Sequence, residues 1–263
     1  MLLLCLLYAS IEQITVDDMN FINGKEIFCE QLTVYSQSTT AIFRCKLTLT
    51  DQPNSRPIYV IKKLVKRDYN TAGMNNEELR IKNSLFEENK VFAINEITNM
   101  KEASTHFSEH VVNYYGGKAK GLVIAFNNKI LGYLAEHVIY MEHCFGDAYT
   151  MLNNLDRIHV IKHIVEAIYL LHSKGIAHRD IKLDNIFVCG TSNDIKYKIG
   201  DFEFSTTEEL SDDSVYTEGY AAPELHKETK YVNKRRRTIE QYDTKKVDIY
   251  ALGVTFMLIF KKN

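Results

Sequence analysis

The sequence predicts an α+β protein of two lobes, β-rich in its first part and helical in its second. Three observations carry this. The first hundred or so residues are rich in short β-branched and aromatic runs, the signature of strands. Beyond residue 148, Leu155, Ile158, Ile161, Val165, Ile168 and Leu171 repeat at helical spacing, an amphipathic stripe. The 263 residues are 45% hydrophobic and 25% charged, an ordinary globular composition and a length that suits one large domain or two lobes sharing a core.

The elements follow in order. Leu2–Ala9 is apolar but half the length of a membrane span and lacks a basic flank, although Ala9 and Ser10 leave a signal peptide as the alternative. Gln31–Tyr35 and Ala41–Thr50 read as two strands joined by a turn, and Ile58–Val65 as a third after the Pro-containing loop 51–57. The polar stretch Lys66–Asn89 reads as a surface insertion. Phe92, Ile97, Met100 and Ala103 approximate a helical stripe, and Val111–Tyr115 and His137–Met141 are short strand-like runs. The helix from Met151 to His172 stops at Gly175, a residue type that ends helices well. Ile249–Phe260 is twelve apolar-rich residues, which suits a buried helix better than a membrane span.

Composition also excludes functions. A net charge of −2 argues against a strongly electrostatic nucleic-acid binder. Cys5, Cys29, Cys45, Cys144 and Cys189 are odd in number and widely spaced, with no C-x-x-C pair. They predict neither a disulfide framework nor a zinc site, and fit a reducing compartment.

The chemistry concentrates in His178-Arg-Asp-Ile-Lys-Leu-Asp-Asn185. Asp180, Lys182 and Asn185 bring a carboxylate, an ammonium and an amide into one loop. Phosphoryl transfer needs that set: a base by the acceptor hydroxyl, a cation on the phosphate and an oxygen ligand for Mg²⁺. Asp201, twenty-one residues on in Lys198-Ile-Gly-Asp-Phe-Glu203, adds a hard oxygen donor. A polar surface loop explains each residue singly but not the ordered set.

From residue 28 to the end, the chain resembles the eukaryotic protein kinase family. His178-Arg179-Asp180 is similar to its catalytic loop. The resemblance implies Asp180 as base, Lys182 on the γ-phosphate, and Asn185 and Asp201 as Mg²⁺ ligands. Ala222-Pro-Glu224 resembles the end of the activation segment, and Asp248-Ile-Tyr-Ala-Leu-Gly253 the helix whose aspartate fixes the catalytic loop. Tyr59-Val-Ile-Lys62 resembles the third strand, which makes Lys62 the phosphate-binding lysine and Glu96 its helical partner. Lys63 and Glu102 compete for those roles; Ile61 and Lys63 share one strand face and Lys62 takes the other, so only one lysine can face the nucleotide. The apolar frame favours Lys62 and Glu96.

Met141-Glu142-His143-Cys144 is similar to the gatekeeper and hinge, and Ile42, Val60, Glu142, Cys144 and Phe187 are the implied adenine contacts. Cys144 reads as a reactive hinge thiol or an inert packing residue. Lys182 and Thr217 follow the serine/threonine pattern. Arg179 beside Asp180 implies a phosphate or carboxylate partner in the activation segment. Thr206, Thr207, Ser211 and Ser214 are the candidate phosphosites, and Glu208, Glu209, Asp212 and Asp213 the candidate carboxylates or a solvated acidic loop.

The departures matter as well. Tyr35-Ser-Gln-Ser-Thr-Thr40 has no glycine where the family cradles phosphates, which predicts weaker nucleotide affinity. Glu203 stands where a glycine follows Asp201-Phe202, predicting a restricted switch and extra negative charge. Lys234-Arg-Arg-Arg237 reads as a solvated loop, with a nuclear-import or docking element as the alternative.

The resulting expectation is an ATP- and Mg²⁺-dependent protein serine/threonine kinase of two-lobed, kinase-like fold. It has an N-terminal extension (1–27), an N-lobe (28–141) and a hinge with partial C-lobe (142–263). A pseudokinase or weak nucleotide-binding scaffold is the alternative. A small-molecule phosphotransferase is a third reading, opposed by the Ala222-Pro-Glu224 and Asp248…Gly253 elements. Expected partners are a protein substrate and a regulatory partner or upstream kinase, with no nucleic acid or membrane. The expected compartment is cytoplasmic, with the nucleus as the other option. Because the family carries further helices beyond the one begun by Asp248, one of which pairs an arginine with the position of Glu224, the chain reads as C-terminally truncated and poorly stable alone.

Overall fold

The computed structural model describes residues 8–18, 25–34, 40–49, 58–71, 73–126, 129–191, 194–212, 215–226, 230–232, 236–238 and 241–261. The glycine-free stretch at residues 35–39, Asp213, Ser214, Lys234 and Arg235 lie outside them. The chain forms two compact units: Met1–Ile97 with Tyr114–His143, and Thr98–Asn113 with Cys144–Asn263.

The first unit is built on a six-stranded antiparallel sheet in the order β1-β5-β6-β4-β3-β2. Its strands are β1 (Tyr8–Asp18), β2 (Lys25–Val34), β3 (Thr40–Leu49), β4 (Ile58–Asn70), β5 (Tyr114–Phe126) and β6 (Lys129–Glu142). Strand β1, expected as an extension outside the lobe, pairs with β5 from Tyr8↔Phe126 to Asp18↔Gly117. The expected insertion at 66–89 is corrected too. Strand β4 runs on to Asn70 against Gly132 of β6, and helix α1 (Asn76–Phe107) starts soon after.

Asn75 begins that helix through a capping box. Its Oδ1 accepts the backbone N–H groups of Glu77 and Glu78, and Glu78 Oε2 accepts the N–H of Asn75. Donors that a helix N-terminus leaves unpaired are thereby satisfied in both directions. The helix then meets β5 at two glycines. A Cβ at Gly121 would lie 2.9 Å from the Phe86 ring, and one at Gly117 would lie 3.2 Å from Ile97 Cγ1. Phe86, Ala93, Ile97, Val65, Ala119 and Ile139 are buried residues of this unit, each large one contributing about 1.5–3 kcal/mol through loss of apolar surface to water. A second cluster holds Cys45, Leu47, Val60 and Tyr140, with Cys29, Phe43, Tyr115 and Val138 packed against it.

The second unit contains α2 (Arg157–Ser173), α3 (Thr244–Phe260) and a three-stranded sheet of β7 (Gly146–Asp147), β8 (Ile186–Thr191) and β9 (Asp194–Ile199). Short strands β10 (Leu210–Ser211) and β13 (Tyr242–Asp243) pair, as do β11 (Lys230–Val232) and β12 (Arg236–Thr238). Helix α2 starts at Asp156, whose side chain accepts the His159 N–H, and buries Val160, Ile164, Ala167, Ile168 and Leu171. It begins later than the apolar stripe suggested because Asp156 is its cap. Gly175 ends it at φ +77°. There the Ile176 N–H bonds Leu171 O at 3.0 Å and the Gly175 N–H bonds His172 O at 3.1 Å, the reciprocal pair of a Schellman motif. Asp243 caps α3 by accepting the N–H groups of Lys245 and Lys246. No helix among the described residues is long and apolar enough to cross a membrane.

The cysteine reading is overturned. Cys29 is bonded to Cys45, and Cys144 to Cys189. Cys29 and Cys45 face each other across the β2–β3 ladder. Cys144 lies alongside Cys189 because the next residue, Phe145, donates its N–H to Val188 O. Strand pairing joins residues 16 and 45 positions apart, which spacing rules for short motifs do not detect. Cys144 is therefore neither a reactive thiol nor a free packing residue, and cysteine usage no longer argues for a reducing compartment.

Candidate functional site

In the second unit, the loop after α2 is held by Asp248 of α3, which is fully buried. Its carboxylate accepts the backbone N–H groups of His178 at 2.8 Å and Arg179 at 2.6 Å, and faces His172 Nε2 at 2.8 Å. Arg179 takes φ +62° and Asp201 φ +65°, an uncommon backbone region for residues with a side chain. His178 faces Gly200 O through Nε2 at 3.1 Å, and its Nδ1 accepts the Asp180 N–H at 3.3 Å. One carboxylate and one imidazole thus fix the backbone on which the next side chains stand.

Asp180 is the centre of a dense network. Lys182 Nζ donates to its Oδ2 at 2.7 Å, and Thr217 Oγ1 donates to its Oδ1 at 2.6 Å. Asn185 Nδ2 donates to its Oδ2 at 2.8 Å and to its backbone oxygen at 2.9 Å. Lys182 also reaches Thr217 Oγ1 at 3.0 Å. Charge-assisted bonds of this kind are short and directional, so the carboxylate has one orientation. With the Asn185 nitrogen engaged on Asp180, its Oδ1 is the atom left to face a cation.

The β8–β9 hairpin brings Asp201 to the same end of the unit. Ile186 pairs with Ile199, and the Gly200 N–H donates to Asn185 O at 3.1 Å. A Cβ at Gly200 would come within 2.8 Å of the Phe187 ring, so only glycine fits between that ring and the segment leading to Asp201. Phe202 is fully buried with its ring 4.9 Å from His178, and Asn99 donates to Ser205 Oγ just beyond it. Asn185 and Asp201 are hard oxygen donors, the set Mg²⁺ prefers.

In the first unit, Glu96 is almost wholly buried, with Lys63 Nζ 2.7 Å from Oε1 and His137 Nε2 2.8 Å from Oε2. Burial acts to raise its pKa, but the Lys63 charge and the His137 hydrogen bond outweigh it and bring it down to about 2. The sheet register explains the pairing. Lys63 is opposite Ile42 and Ile139, and Val65 is opposite His137, so Ile42, Ile61, Lys63 and His137 share one face.

Residues 52–263 match the protein kinase domain. The chain belongs to the protein kinase family. Among the curated relatives of this kinase are the serine/threonine-protein kinase KSP1 of Saccharomyces cerevisiae, 38% identical over 48% of this chain and 13% of its own length. The MAP kinase-activated protein kinase mak-1 of Caenorhabditis elegans is 36% identical over 38% of this chain and 18% of its own. The calcium/calmodulin-dependent protein kinase type 1 of Caenorhabditis briggsae is 31% identical over 38% of this chain and 25% of its own. The matched segments span a quarter or less of these relatives' lengths.

Two expectations for this kinase are corrected by the register. Glu96 pairs with Lys63, not Lys62, whose position is opposite Phe43 and Tyr140. Val60, expected at adenine, instead lies in the Cys45–Leu47–Tyr140 cluster; Ile61 and Ile42 share the face of Lys63. The one-residue slip inverts the faces, as it must in a strand. Glu102 is exposed and faces His106. Glu203 needs no left-handed backbone, since Arg179 and Asp201 are the non-glycine residues with positive φ among those described. Glu224 is half-buried, which weakens the expected penalty of an unpaired charge.

Arg179 donates through Nε to Phe204 O at 2.6 Å, and through a terminal nitrogen to Ser211 Oγ at 3.3 Å and Tyr242 Oη at 3.2 Å. Of the candidate phosphosites, Ser211 and Thr206 are buried and Thr207 is exposed. Sequence reasoning missed His137, Tyr242, Asn99 and His172. None lies in a short motif that marks its role, and each is legible only from its three-dimensional partner.

Proposed function

We propose that this kinase transfers the γ-phosphoryl group of ATP to a serine or threonine hydroxyl of a protein. The network that orients Asp180 through Lys182, Asn185 and Thr217 carries the reading. Asp180 accepts the proton of the acceptor hydroxyl as its oxygen bonds the γ-phosphorus and the bond from that phosphorus to the β,γ-bridging oxygen breaks, with ADP leaving. Lys182, beside it, neutralises charge on the transferring phosphoryl group. Lys63, held by Glu96, is the lysine for the non-transferred phosphates. Asn185 Oδ1 and the Asp201 carboxylate are the protein's ligands for Mg²⁺, which when bound neutralises phosphate charge. The Lys182–Thr217 contact and the serine/threonine kinases among the relatives support hydroxyl acceptors of the aliphatic type.

The test is transfer of labelled phosphate from ATP to a mixed-protein substrate, wild type against Asp180→Asn. The substitution removes the base while keeping the side chain's size, and transfer falls at least about 100-fold. Equal transfer by the two proteins rejects the enzyme reading. Mg·ATP binding without transfer by wild type supports the scaffold reading instead.

A further inference from the structure

We infer that His137 is a positioning residue for Lys63, acting through the buried carboxylate of Glu96; the inference rests on the kinase reading above. A lysine–carboxylate pair by itself leaves one carboxylate oxygen without a partner and the group free to turn about a broad, weakly staggered torsion. Here that second oxygen is engaged. Glu96 Oε1 faces Lys63 on β4 and Oε2 faces His137 on the adjacent strand β6, at 2.7 and 2.8 Å. Contacts from two neighbouring strands fix both the position and the plane of the carboxylate.

The arrangement matters when nucleotide arrives. To serve a phosphate, the Lys63 ammonium must share its protons between that phosphate and Glu96. Glu96 is 1% exposed, and a buried carboxylate that loses its partner is strongly destabilising. His137 lowers that penalty. Because Glu96 is ionised, Nε2 of His137 must carry the proton and donate it, and this bond persists while Lys63 turns. The register neighbours of His137 are Val65 on β4 and Ala119 on β5, both buried and apolar, so the imidazole is aimed at Glu96 by packing on both sides. Among the described residues, Glu96 on α1 is its ion-pair partner, and Lys63 on β4 engages the other oxygen of that same carboxylate.

Two variants separate a donor at the Nε2 position from mere occupancy. His137→Gln puts an amide N–H where Nε2 stands, whereas His137→Asn puts one near Nδ1, too short to reach Glu96. The measurements are the Kd for Mg·ATP and the kcat and KM(ATP) of phosphoryl transfer, per folded molecule, with melting temperatures alongside. His137→Asn is expected to weaken Mg·ATP binding and raise KM(ATP) about tenfold, with kcat/KM falling further, and His137→Gln to recover both to within about threefold. A filler role would lower the melting temperatures and leave the kinetic constants equal in the two variants, and that result overturns the inference. If wild type binds Mg·ATP but transfers no more phosphate than Asp180→Asn, the kinase reading fails alone, and the two Kd values still decide this one. A wild type that binds no nucleotide overturns both.

Discussion

In the second unit, Asp180 collects its side-chain contacts from residues two, five and 37 positions away. In the first, Glu96 collects its two from residues 33 and 41 away. The first network is mostly the product of one loop whose backbone is pinned by Asp248. The second exists only because β4, β6 and α1 pack together. A motif read along the chain therefore specifies the Asp180 network almost completely, while the Glu96 network depends on a strand register that the motif does not encode. The buried state differs as well: Lys182 is partly exposed, whereas Glu96, Lys63 and His137 are all below a tenth exposed.

That contrast can be broken most directly at the two adjacent lysines. Lys63→Met is expected to lower phosphoryl transfer about 100-fold and to destabilise the fold by about 3–5 kcal/mol by leaving a buried carboxylate short of its cation. Lys62→Met should change transfer by no more than about threefold. Transfer rates and denaturant midpoints for the two variants decide the register. The reverse ranking would return the role to Lys62.

The disulfides sharpen the comparison because each unit has one. The chain-entropy account ties stabilisation to loop length, about 4 kcal/mol for Cys144–Cys189 and about 3 kcal/mol for Cys29–Cys45, whose partners are 45 and 16 residues apart. Cys144→Ser with Cys189→Ser should therefore lower the denaturation midpoint more than Cys29→Ser with Cys45→Ser. Equal midpoints for wild type with and without reductant would show that neither bond contributes.

Acid titration of wild type beside Glu96→Gln probes the first unit. Glu96 has a folded-state pKa of about 2 against an ordinary 4.5, so the folded state holds its carboxylate deprotonated more firmly than the unfolded chain does. Its contribution, about 3 kcal/mol, is complete above pH 4.5 and is lost as pH falls from 4.5 toward 2. The difference in stability between wild type and Glu96→Gln should shrink across that window. A difference independent of pH would show that Glu96 is not ionised by its partners.

Much of the fold was legible along the chain. Helix α2 and its stop at Gly175 follow from apolar spacing and a left-handed glycine, both local properties. The Asn75–Glu78 capping box was equally readable, yet the polar, asparagine-rich composition around it suggested a loop; the face of α1 that meets Gly117 and Gly121 overrode that composition. Strand β1 escaped notice because an edge strand of this kind is defined by its partner β5, not by its own residues.

By itself the sequence determined the family, the residues of the 178–185 loop, and the chemistry available to Asp180, Lys182, Asn185 and Asp201. Asp180, Lys182 and Asn185 are close in the chain and meet within one loop, while Asp201 reaches them through the adjoining β8–β9 hairpin. Tertiary structure decided which lysine meets Glu96, that His137 completes the pair, and that four cysteines are joined in two bonds. Each depends on strand register, in which a shift of one residue moves every side chain to the opposite face. Local residue types leave that choice open until the strands and α1 pack.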